Sequence, residues 1–95
     1  MELSKSDIVE SLSGRDKGNY FFVVETAGEY VLIADGRCRK LEHPKRKKQK
    51  HLRLAARPDS RVAVKIRSGD KVLNSELRRE LAAFRQEQSQ DQGGF

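Results

Sequence analysis

The chain has 95 residues, a net charge of +6 and one cysteine. A chain of this size makes one small domain with a compact core, since it buries only about two-thirds of the surface its unfolded form exposes. Its apolar runs are far shorter than the roughly 20 residues of a membrane span, nothing reads as a signal peptide, and the lone Cys38 excludes an intrachain disulfide; a reduced, cytoplasmic setting is expected.

The charge is unevenly placed. Residues 1–36 carry three basic and seven acidic side chains, whereas residues 37–57 carry ten basic and one acidic. The remaining residues nearly balance, so the whole excess sits in one block, as expected for a protein with a polyanionic partner.

In chain order, residues 7–12 hold Ile8, Val9 and Leu12 and predict a first strand. Gly14 and Gly18 bracket a loop in which glycine permits a tight turn and close approach of another backbone. Spacing alone leaves a plain β-turn equally open. Residues 20–24 and 30–34 are aromatic and β-branched, which suits strands, and their short separation requires an antiparallel hairpin. Both strands are apolar on both faces: Tyr20, Phe22 and Val24 oppose Phe21 and Val23, and Val31 and Ile33 oppose Tyr30, Leu32 and Ala34. Such doubling predicts a small barrel with its interior on one side and a further element packed outside. Asp35-Gly36 predicts a tight turn folding a third strand, residues 37–41, against the second.

Residues 43–51 are dense in like charge and predict a loop or arm that is mobile when free. Alternation then predicts a strand over residues 52–57, a turn at Pro58-Asp59-Ser60, and another strand in which Val62, Val64 and Ile66 alternate with charged residues. From Asn74 or Ser75 a helix is expected, with Leu77, Leu81 and Phe84 as one apolar stripe facing the core. Residues 1–85 form the domain, and the polar residues 86–95 are expected to be a disordered tail.

No catalytic constellation is visible. Cys38, His43 and His51 lack the close pairing of a zinc site, so no metal or other cofactor is expected, and Cys38 reads as a small apolar side chain. Asp16 and Asp35 read as turn formers beside glycines. The cations have a coherent use as phosphate ligands: Arg15 and Lys17 in the glycine loop, Arg37, Arg39 and Lys40 leading into the arm, then Lys45, Arg46, Lys47, Lys48 and Lys50, with Arg53 just beyond. No aromatic residue interrupts the arm, which favours backbone contact over base stacking.

The run Gly14-Arg15-Asp16-Lys17-Gly18, the apolar hairpin and Val31-Leu32-Ile33-Ala34-Asp35-Gly36 together resemble a KOW domain. More narrowly, with the basic arm included, the sequence is similar to bacterial KOW-domain RNA-binding proteins related to eukaryotic and archaeal large-subunit ribosomal proteins. That resemblance implies a mainly β fold, a small SH3-like barrel, here with one C-terminal α-helix. It implies RNA binding, usually of ribosomal RNA, through Gly14, Arg15, Lys17 and Gly18 and then the arm. The polar residues Asp7, Glu10 and Ser11 depart from the family's usual lead-in strand. The expected function is non-catalytic binding of ribosomal RNA by a ribosomal or ribosome-associated protein, with ribosomal proteins as neighbours, no membrane, and a monomer away from the ribosome. The alternative is a protein-interaction KOW module of a transcription or translation factor, which would expose an apolar patch rather than ten cations.

Overall fold

In the computed structural model, which describes residues 2–93, five strands and two helices succeed one another. Strand β1 is Ile8–Ser11, β2 Tyr20–Ala27, β3 Tyr30–Ala34, β4 Lys45–Lys48 and β5 Leu52–Ala56; helix α1 is Arg61–Ser68 and α2 Asn74–Gly93. The hairpin stands as its sequence predicts, and tighter. β2 runs on to Ala27, leaving Gly28 and Glu29 as the connection, with Phe22 opposite Ala34 and Ala27 opposite Tyr30. All neighbours pair antiparallel, in the order β4-β3-β2-β1-β5. β5 returns to lie beside β1, while β4 and β5 form the two edges of an open sheet that does not close into a barrel.

The two-faced hydrophobicity of the hairpin is realised as two cores. Leu3, Val9, Phe21, Val23, Val31, Ile33 and Leu52 pack on one face of the sheet. Ile8, Phe22 and Ala34 pack on the other, against Val62 and Ile66 of α1 and Leu77 and Leu81 of α2. Alternation along each strand sends Phe21 and Phe22 to opposite faces, and both are fully buried. Phe84 completes the α2 stripe by meeting Tyr20 edge-on, the ring centroids 5.1 Å apart.

Four expectations are corrected. Residues 37–41 are a loop, not a strand. Asp35 Oδ1 accepts from the backbone N–H of Arg37 and of Arg39, both at 2.9 Å, and the Arg39 carbonyl accepts from Asp35 and Gly36. The aspartate thus curls the chain over itself before a hairpin can form.

The partner of β3 is instead the basic run. Tyr30 faces Lys48, Val31 faces Lys47 and Ile33 faces Lys45, so the middle of the expected mobile arm is an ordered strand. Strand geometry relieves the repulsion by sending successive cations to opposite faces, where other elements supply partners. Gln49 anchors the 3₁₀ turn Gln49–His51 that follows. Its amide accepts from Leu3 N–H and donates to the Gly28 carbonyl, both at 2.8 Å.

Residues 61–68 are helical rather than extended. Ser60 caps the helix by accepting from Ala63 N–H at 3.2 Å, and Gly69 ends it in the left-handed region. Val62 and Ile66 are one helical turn apart and buried, whereas Val64 faces solvent. The fold therefore has two helices over the sheet, not one. Finally, α2 continues past Arg85 to Gly93, because residues 86–92 contain no proline or glycine to stop it. The last two residues of the expected disordered tail lie outside the described residues.

Candidate nucleic-acid interface

The glycine loop is built on the end of β1. Gly14 and Gly18 both have positive φ, 78° and 88°, which a side chain would disfavour. Ser11 closes the loop: its carbonyl accepts from Gly18 N–H at 2.8 Å and its N–H donates to the Asn19 carbonyl at 3.0 Å. Lys47 reaches in from β4. Its ammonium donates to Ser11 Oγ at 2.6 Å and to the Ser13 carbonyl at 2.9 Å. Burial, and then the like charge of Lys45, hold this ammonium below its ordinary pKa. A buried charge is tolerated only when it is well hydrogen-bonded, so Lys47 clamps the loop and is turned away from solvent.

Asp16, read in sequence as a turn former, has a larger part. It is buried and pairs with Arg39 at 3.1 Å and Lys45 at 3.6 Å. The Asp16–Arg39 pair ties the loop of residues 14–18 to the loop of residues 35–40, and Asp16 also meets Lys45, the first residue of β4. Around this junction Arg15, Lys17, Arg37 and Lys40 are exposed, and among the described residues none has a carboxylate within ion-pair distance.

The second loop is pinned from behind by α2. Asn74 Oδ1 accepts from Leu41 N–H at 2.8 Å and its amide donates to Glu42, which holds that carboxylate below its ordinary pKa. Arg78 donates to the Gly36 carbonyl at 2.6 Å. The approach is so close that a Cβ on Gly36 would stand 2.2 Å from the Asn74 carbonyl oxygen.

The thirteen sequence-predicted site residues therefore divide. Gly14, Arg15, Lys17 and Gly18 come together with Arg37, Arg39, Lys40 and Lys45. Arg46 and Lys48 lie on the other face of β4: Arg46 stacks on Tyr30 with 3.8 Å to the ring centroid, and Lys48 meets Glu29 at 3.8 Å. Lys50 is exposed beside the Gly28–Glu29 turn, and Arg53 is hydrogen-bonded to Glu10. Cys38, expected to pack inside, is exposed.

Sequence reading missed Ser11, Asp16 and Arg78. An acid inside an otherwise basic loop was the available signal for Asp16. Arg78 gave none, being far along the chain from the block. No protein-family model matches this chain, and no curated protein matches it either.

Proposed function

We propose that this chain is a non-catalytic RNA-binding protein of the KOW type, acting on ribosomal RNA as a ribosomal or ribosome-associated component. The observation that carries this reading is the junction at Asp16. One buried carboxylate draws two loops and β4 together and leaves Arg15, Lys17, Arg37 and Lys40 unopposed on its rim. Such a cluster suits phosphate oxygens, and its rigid backing fixes the spacing at which they are met. An SH3-like reading of the open sheet is supported by the meander β1 to β4, the 3₁₀ turn and the return of β5 to β1. The protein-docking alternative would draw on exposed apolar side chains. Among the described residues the large ones, Leu12, Val64 and Leu73, are spread over three segments.

A salt series with a fluorescent ribosomal RNA hairpin tests the proposal. With four cations engaged, log K falls by roughly 3 to 4 per tenfold rise in salt. Replacing Lys17 and Lys40 by Gln lowers that slope by about 1.5 and weakens different RNA sequences alike. Replacing Lys47 by Gln leaves the slope unchanged in the folded fraction. A flat salt dependence of the unmodified protein overturns the electrostatic mechanism.

A further inference from the structure

Between α2 and the loop of residues 35–39 lies a cleft of about 530 Å³, lined by Asn19, Asp35, Arg37, Cys38, Arg78 and Arg85 together with Leu81 and Ala82. Three guanidinium groups surround it against a single carboxylate, and that carboxylate already accepts from two backbone N–H groups of its own loop. The helix sorts its charges to suit. Arg78, Ala82 and Arg85 follow at i, i+4 and i+7 and so share one stripe, which lines the cleft. Glu80 and Glu87 lie on a different stripe and line another hollow, beside Pro58 and Phe84. Arg78 is engaged by the Gly36 carbonyl, whereas Arg37 and Arg85 are exposed and have no carboxylate partner among the described residues. Small Ala82 between the two helix arginines leaves the cleft floor open. The cleft is continuous with the Asp16 junction, because Asn19 ends the glycine loop and Arg37 belongs to the loop that Arg39 ties to Asp16.

We infer that this cleft is a second RNA-backbone site, in which Arg37 and Arg85, backed by Arg78, receive phosphates of the same strand that crosses the glycine loop. The inference rests on the RNA-binding reading and extends its footprint from the sheet onto α2. Guanidinium forks on two walls of a groove can take a phosphate bidentately, which a lysine-rich surface cannot. The site thus fixes where the strand runs after it leaves the loop.

The chain's only cysteine makes the site directly observable, since Cys38 is exposed and stands in the cleft lining. The experiment uses the full chain and a fluorescent ribosomal RNA hairpin at saturation, with binding followed by anisotropy and Cys38 alkylation by iodoacetamide followed by mass spectrometry. Bound RNA is expected to slow alkylation several-fold. An Arg85→Gln variant, shown by its melting curve to be folded, is expected to lose that protection and to lower the salt slope by about 0.8. RNA that binds fully while Cys38 alkylates at its free rate and the Arg85→Gln variant keeps the parental slope overturns the cleft alone. Failure of the unmodified chain to bind any RNA overturns the RNA-binding reading and the cleft with it.

Discussion

The cations of β4 and those of the two loops beside it are the same residue types on neighbouring segments, yet they are placed for different roles. On β4, Lys47 is buried under the glycine loop, Lys45 faces Asp16, Arg46 covers Tyr30 and Lys48 meets Glu29. On the loops, Arg15, Lys17, Arg37 and Lys40 point into solvent around a shared buried acid. The strand's charges hold the platform and the loops' charges stand on it. Density of charge along a sequence therefore does not measure how much of it a ligand can reach. Strand alternation and the nearest carboxylate decide that.

The largest expected effect comes from moving the platform without touching a charge. Gly36→Ala forces a Cβ into the Asn74 carbonyl at a backbone angle of +78°. Overpacking and the left-handed conformation together predict a loss of at least about 2 kcal/mol in a denaturant titration. A variant of parental stability would show that the loop is not seated on α2.

Lys47→Ala is expected to cost about 2 kcal/mol, because charge-assisted bonds to Ser11 and Ser13 are lost in a buried setting. Arg15→Ala, by contrast, is expected to change stability by less than about 0.5 kcal/mol while weakening RNA binding. Equal stability losses in the two variants would erase the distinction between platform and rim.

The smallest effect concerns Lys65, a cation held between the helices by Glu76 at 2.8 Å. That hydrogen bond keeps the Glu76 carboxyl below its ordinary pKa of 4.5. A lowered folded-state value means that its contribution to stability is present above the unfolded value and is lost as pH falls through the folded one. The melting temperatures of the parent and of Glu76→Gln should therefore differ at neutral pH and converge only once the pH has fallen through the lowered folded-state value. A gap independent of pH would show that the pair contributes nothing through its charge.

Much of the scaffold was legible because its determinants are local. The aromatic and β-branched runs announced the hairpin, and the spacing of Leu77, Leu81 and Phe84 announced the stripe on α2. The two-faced character of the hairpin announced the element packed outside, while the barrel interior expected on its other face is one side of an open sheet. What was not legible depended on distant partners or on a degenerate pattern. The repulsion expected along residues 45–48 took no account of Asp16, Glu29 and Tyr30, all of which lie on other elements. Val62, Val64 and Ile66 fit a strand at period two, but Val62 and Ile66 fit a helix turn equally well; Ser60 and Gly69 as caps were the better guide. The glycine loop was found from its spacing. The placement of Arg78 and Arg85 beside the loop of residues 35–39 emerges only once α2 is laid across the sheet.

The position of β4 has one more consequence. It is an edge strand, and an exposed edge offers a row of unpaired backbone groups to any other extended chain, including another molecule of the same protein. The cations that stay accessible on that edge set two such molecules against each other before their strands can join. The outward-facing Arg46 and Lys48 carry this protection even where they meet no phosphate. Such charges guard solubility whenever the hairpin is formed, a use of this run that does not depend on the RNA ligand proposed for it.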